Sequence, residues 1–551
     1  MMNNGVEQFD WGDGQPYDVK PFSLENFRVA CSSDPERPLE DRSWSNKPQF
    51  RYFAGQVDEL GQYHSAYISE LGAKTIVIEQ QYVDKDFLDD FANYYVKCFK
   101  PYNRFCKRLH LFKCEFDLND LVSYIQGKAG RLTTGILERD YLGFIVLKPL
   151  PSKYFGRSCL LTHGETAGGG WKRHFPATKD CSIGFMGTEL RIRDTLAFQE
   201  QDNVLAACAT TSLWVAFQRT SYMFNHAIPS PAQITRGAAE YFISNPKTFP
   251  SSGLVTNQIF HAIKSLGLSI EVPFSLVTKP DAIEDIGVLV TAIYSYLHYG
   301  LPVILGFEFL EGAHKGSKHV VTVLGYALNE ESPMKGVKVS DGLSLNLRSY
   351  RINQLYAHDD GVGPFSPITI DYENNNLVTG WKEDGRNLTA LPTLIAIPVY
   401  VKIRVPFEEV FGQAIIAELF LRSCLTNSKI PGLDCDFEWD LYCTDVNTLK
   451  ADLKKEGKLH GKLLEYYLAY SFPKYIWRII GTCRNEKKIE LLYDATDFTS
   501  GNYLHTIITY DQLKEYFKNY AAIIKAHLRD QWNYKIIDMI ADICDKVYSK
   551  E

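Results

Sequence analysis

The sequence contains no run of residues long and apolar enough to cross a bilayer. Ile286 to Phe307 is interrupted by His298, Gly300 and Pro302, and Leu391 to Val401 is too short. Met1 to Asp10 lacks a basic segment followed by an apolar one, so no secretory leader is expected. Basic blocks are missing too. Lys107-Arg108 and Lys454-Lys455 are short, and against a formal net charge of −7 they read as solvated faces. That balance leaves no footprint for nucleic acid or an anionic membrane. The twelve cysteines include no Cys-x-x-Cys pair and predict reduced, mostly buried thiols. Without such a pair, Cys98, Cys106, His110 and Cys114 make a poor zinc site. There is no His-Glu-x-x-His or Gly-x-Ser-x-Gly motif, and Gly164 to Lys172 lacks the Gly-Lys-Ser/Thr ending of a phosphate loop. That stretch is expected to be a mobile loop. These absences predict a soluble, cytoplasmic protein with no cofactor and no metal.

What is present is ample core material. Hydrophobic residues make up 45% of the 551, with 33 Tyr and 32 Phe, so wholesale disorder is excluded and several domains are expected. Residues 1–70 carry Asp, Gly, Pro and Ser clusters and predict an extended arm, with Trp11, Phe22 and Tyr52 as contacts to a later domain. Residues 71–194 predict an α/β domain that closes with a glycine-rich connection. Helices followed by strands over 195–400 predict an α+β domain, and 401–551 a C-terminal mixed α/β domain.

One constellation carries chemistry. Cys208 opens an apolar, small-residue stretch ending at Phe217. A cysteine at the first turn of a helix sits where unpaired N–H groups and the helix dipole favour a thiolate. Lys318 to Tyr326 alternates like a strand and places His319 at its mouth. Leu355 to Asp359 is an apparent strand ending on Asp359, with Asp360 beside it, and Asp341 is a competing carboxylate at another strand end. Gln201, seven residues before the cysteine, could donate to an oxyanion. Each has a plainer reading: a buried cysteine, a structural histidine, turn-forming aspartates, a surface glutamine. In order they supply an oxyanion donor, a nucleophile, a base and an orienter.

Residues 195 to 370 resemble the papain-like cysteine peptidases. The resemblance rests on Gln201, Cys208, Ser252-Gly-Leu-Val-Thr-Asn-Gln-Ile259, Gly300-Leu-Pro-Val-Ile-Leu-Gly306, His319-Val-Val-Thr-Val-Leu-Gly-Tyr326 and the Tyr356-Ala-His-Asp359 turn. Among these peptidases the double-glycine, bacteriocin-processing type is the most similar. Ala209 replaces the usual glycine, Gln201 lies one residue further from the cysteine, and the segment between His319 and Asp359 is long. The resemblance implies a papain-like core with Cys208 as nucleophile, His319 as base, Asp359 as orienter and Gln201 as oxyanion donor.

The expected activity is that of an intracellular cysteine protease. It would act on a protein or peptide substrate through a thioester, with the flanking domains choosing the substrate or binding a protein partner. The same triad could instead run deamidation or acyl transfer, and a catalytically inactive scaffold would keep the fold without the chemistry.

Overall fold

The computed structural model describes residues 16–31, 59–150, 152–202, 204, 207–241, 253–273, 285–427, 435–497, 499, 503–510 and 513–517. Trp11, Tyr52, Ser252 and all residues beyond 517 lie outside the described residues. The fold is α+β, and the described strands form four sheets. No described helix is long and apolar enough to cross a membrane.

A ring of strands organises the centre. Val303–Phe309, Lys318–Leu328, Ile352–Asp359, Gly363–Asp371, Asn376–Glu383 and Arg386–Val399 pair antiparallel in that order. The last returns to the first through Ile304 opposite Ala396, so the sheet closes on itself. Val321, Val323, Leu324, Leu355 and Ala357 are wholly buried, as expected for strands covered on both faces. The helix Cys208–Phe224 packs against this ring. Ala209 to Gln218 are buried without interruption, so the helix is enclosed on every side, and it ends at Asn225 in the left-handed region.

The N-terminal sheet joins Tyr17–Pro21, Thr75–Tyr82, Cys106–Phe112, Tyr141–Leu147 and Phe155–Leu160 in sequence order, every pair antiparallel. It is a meander, not the α/β unit expected over 71–194. The helices Lys85–Asn93 and Leu118–Ile125 connect strands that are already neighbours, which needs no parallel crossover. The expected arm over 1–70 is also corrected where it is described. Tyr17–Pro21 is a sheet strand, and Leu24–Cys31 and Glu59–Glu70 are helices. Phe27, Leu60, Tyr67 and Ile68 anchor them in the core.

Over 151–194 the structure is richer than a glycine-rich connection. Thr166–Gly168 and Trp171–His174 form a hairpin turned by Gly168, Gly169 and Gly170, all at positive φ. This replaces the expected mobile loop, because Trp171–His174 pairs along Lys318–Leu328. A second hairpin joins Lys179–Phe185 to Thr188–Thr195.

The C-terminal sheet is mixed. Gly336–Ser340, Leu343–Leu347, Glu438–Asp445, Tyr475–Cys483, Glu486–Asp494 and Leu504–Thr509 lie in that order, with only Leu343–Leu347 and Glu438–Asp445 parallel. Its first two strands come from the chain between His319 and Asp359. The apolar helix Ile286–Leu297 lies between this sheet and the ring, with Tyr294 donating to Asp440 and Ser295 to the Leu441 carbonyl. The reduced-thiol expectation fails at one pair. Cys435, just ahead of the strand Glu438–Asp445, and Cys483, at the end of the antiparallel neighbour Tyr475–Cys483, are disulfide-bonded with their Cα atoms 6.1 Å apart.

Candidate active site

Cys208 is the first residue of its helix and is half-buried. Ala207 precedes it without a side-chain cap, so the first-turn amides beside the sulfur are left to donate to an anion. Two reciprocal bonds tie the helix to the histidine strand. Ser212 donates to the Val320 carbonyl at 2.8 Å, and Thr322 donates to the Ser212 carbonyl at 2.7 Å. His319 is the second residue of that strand, so alternation and these bonds together bring the imidazole to the helix terminus.

Cys208 is one of the groups that raise the His319 pKa, which puts its side chain beside the imidazole. On the other side of the ring, His319 Nε2 lies 2.9 Å from Asp359 Oδ1 and 3.3 Å from Asp360 Oδ1. Nε2 is therefore committed to carboxylate, and Nδ1 is the nitrogen left for sulfur. Asp359 also accepts the Gly361 N–H on Oδ1 at 2.9 Å and the Trp381 indole N–H on Oδ2 at 3.0 Å. Trp381 meets His319 edge-on with ring centres 5.1 Å apart, and Phe307 flanks the same imidazole at 5.5 Å. A Cβ on residue 361 would enter the Trp381 ring, so glycine there is what lets the indole lie over the ion pair.

Electrostatics follow from this packing. Burial alone would lower the His319 pKa, but the neighbouring Asp359 carboxylate and its hydrogen bond hold the imidazole well above its ordinary value. Asp359 moves the other way. Burial would raise it, yet His319 and the two N–H donors keep it below the usual carboxylate range. Asp360 makes no hydrogen bond with either oxygen among the described residues, and burial pushes it up to about 7. Adjacent carboxyls are thus split by environment, one ionised and one holding its proton near neutrality.

The preceding histidine has a structural task. His358 faces the opposite side of the strand, where Nε2 meets the Leu196 carbonyl at 3.0 Å and Nδ1 accepts the Phe365 N–H at 3.1 Å. Burial holds it down to about 3. The turn after Asp359 is braced by the helix Glu59–Glu70, from which Tyr63 donates to the Pro364 carbonyl at 3.0 Å. On its other side the cysteine helix is fixed by Trp214, whose indole donates to Asp86 at 3.1 Å.

No family model matches the chain, and no curated protein matches it in sequence.

The structure thus brings Cys208, His319, Asp359 and Asp360 together and leaves Asp341 out. Asp341 sits in the exposed turn after Gly336–Ser340, paired with Lys338 at 2.7 Å. Its strand belongs to the C-terminal sheet, so it cannot orient the imidazole. Gln201 is half-buried, and among the described residues no hydrogen bond ties its amide to the sulfur or the imidazole. Gln199, two residues earlier, is buried, and its Nε2 has no partner among the described residues. Sequence reasoning missed Trp381, Gly361 and Tyr63. Trp381 and Gly361 carried a weak signal, as an aromatic near a strand end and a glycine two residues past the acid.

His319, Asp359 and Asp360 each offer one ligand atom, all within 4.8 Å of one another, the only such cluster among the described residues. The cluster suits a shared proton better than a cation. Asp359 already accepts donors from a backbone amide, an indole and the imidazole. Cys98, Cys106, His110 and Cys114 form no such cluster, and His110 Nδ1 is engaged by the Tyr141 hydroxyl at 2.9 Å.

Proposed function

We propose that this chain is a papain-like cysteine peptidase that cleaves a peptide bond of a specific protein substrate. One observation carries the reading: a part-exposed sulfur at an uncapped helix start lies beside an imidazole whose far nitrogen is fixed by a buried, ionised carboxylate. A cysteine helix packed against a closed antiparallel ring that carries the base and the acid also supports a papain-like core.

The reaction then runs in two halves. The Cys208 sulfur attacks the scissile carbonyl while His319 Nδ1 holds the thiol proton. Charge develops on the carbonyl oxygen next to the first-turn amides of the helix. His319 returns the proton to the leaving amine, and water admitted to the same position hydrolyses the thioester with the imidazole as base. Asp359 keeps Nε2–H aimed at itself and stabilises the imidazolium.

The test is incubation of the full chain with a library of proteome-derived peptides, read by mass spectrometry, beside Cys208→Ala and His319→Ala. New termini that depend on both residues support the peptidase. Intact backbones with deamidated or cross-linked glutamines would replace it with an acyl-transfer reaction. Activity retained in either variant would end the mechanism.

A further inference from the structure

The turn that follows Asp359 is held by a distant part of the chain. Asp359 pairs with Gly363 across the turn between Ile352–Asp359 and Gly363–Asp371, and the Asp359 carbonyl accepts the Val362 N–H at 3.1 Å. Asp359 Oδ1 accepts the Gly361 N–H within the same turn. Backbone and side chain of Asp359 are thus both tied to the next four residues. Where that turn sits decides where the carboxylate points.

The helix Glu59–Glu70 supplies most of the hold. Tyr63 lays its ring against Gly363, where a Cβ would enter the phenol, and the φ of 148° at Gly363 also favours glycine. The Tyr63 hydroxyl donates to the Pro364 carbonyl at 3.0 Å. Tyr67, four residues on and so on the same helix face, stacks on Tyr63 with ring centres 6.1 Å apart and on Phe365 at 6.3 Å. Its hydroxyl goes elsewhere, to the Leu161 carbonyl at 2.6 Å, tying the helix to the end of the strand Phe155–Leu160. His163 completes the clamp by donating Nε2–H to the Phe365 carbonyl at 3.3 Å. Gly363, Pro364 and Phe365 are therefore each gripped in turn.

We propose that Tyr63 is a positioning residue of the active site, through which the helix Glu59–Glu70 sets the Asp359 carboxylate against His319 Nε2. It acts through the turn: its ring fixes the residue that pairs with Asp359, and its hydroxyl fixes the next carbonyl. A loosened turn lets the carboxylate draw back from its 2.9 Å bond to the imidazole. His319 then loses the partner that favours its charged form. The consequence for turnover rests on the peptidase reading, whereas the hold on His319 does not.

The test is the titration of His319 in the full chain, followed by NMR with labelled histidine and assigned by the signal lost in His319→Gln. Tyr63→Phe keeps the ring and removes one donor. It should lower the His319 midpoint by about one pH unit, a loss of about tenfold in proton affinity. Gly363→Ala, pressing on the Tyr63 ring from the turn side, should lower it too. Tyr67→Phe removes a hydroxyl of the same helix that is bonded to Leu161, and should leave the midpoint at the wild-type value. A Tyr63→Phe midpoint no lower than that of the wild type overturns the proposal, and so does an equal fall in Tyr67→Phe, which would make the helix a source of stability alone. Iodoacetamide kinetics on the same samples keep the two readings apart. A lowered His319 midpoint in Tyr63→Phe, beside a wild-type Cys208 that reacts as an ordinary thiol, would sink the peptidase and uphold the positioning.

Discussion

Trp381 donates its indole N–H to Oδ2 of Asp359 at 3.0 Å and sets its ring edge-on to the imidazole that Oδ1 of the same carboxylate holds. The carboxylate, the imidazole and the indole thus form one packed unit, and water is kept from the bond that fixes the imidazole. A hydrogen bond sheltered in this way is stronger than its exposed counterpart, and breaking one partner costs more.

Trp381→Phe keeps an aromatic ring and removes the donor. It should cost about 1–3 kcal/mol of stability and slow alkylation of Cys208 at pH 6, since a buried acceptor loses its partner. Gly361→Ala should have a similar effect from the opposite side by pushing the indole away. Denaturant unfolding and iodoacetamide kinetics measure both, and two silent variants would show that the indole is only packing.

Asp359→Asn should lower the rate of Cys208 alkylation at pH 6 by about tenfold or more, because Nε2–H loses its anionic acceptor. Asp341→Asn should leave that rate at the wild-type value, since its carboxylate is paired with Lys338 in an exposed turn. Equal losses in the two variants would mean that the imidazole is oriented otherwise.

Asp360 should give the protein an inverted pH response. Its folded value of about 7 lies above the ordinary 3.8, so the folded chain binds that proton more tightly than the unfolded chain. Stability from this group is full below about pH 4, falls as the pH rises towards 7, and stays low above it. Asp360→Asn removes the slope. Thermal melts at pH 5 and pH 8 should show the variant gaining on the wild type by about 1–3 kcal/mol at the higher pH. A difference that does not change with pH would refute the assignment.

Ser212 and Thr322 exchange bonds between the cysteine helix and the histidine strand. Thr322→Val and Ser212→Ala should each cost about 1 kcal/mol, and the pair should be non-additive because both hold one contact. Unfolding free energies of the two single variants and the double variant provide the check. Strict additivity would mean that the two bonds act independently.

The helix at Cys208 and the strand at His319 were legible because each follows a clear period. The observed bounds, Cys208–Phe224 and Lys318–Leu328, start where the pattern starts. The choice between Asp341 and Asp359 was not legible in the same way. Both close a short alternating strand, and only long-range pairing sends one to the C-terminal sheet and the other to His319. Trp381 was hidden for a related reason, since ring closure and not local spacing carries it to the imidazole. The strands over 155–195 were missed because several are short, half-exposed and broken by glycines, which resembles a loop. In the first seventy residues, sparse apolar positions concealed helices whose few large side chains do all the anchoring.

The hairpin Gly336–Leu347 leaves the chain midway between base and acid and joins a sheet made otherwise of residues after 437. A fragment trimmed at residue 400 would therefore strand Leu345 and Leu347 without their neighbours, and the part that holds Cys208, His319 and Asp359 could not be cut out as a tidy module. The same stitch gives the distal sheet a mechanical grip on the tether joining imidazole to carboxylate. Any shift of that sheet is passed by covalent chain to the segment between His319 and Asp359.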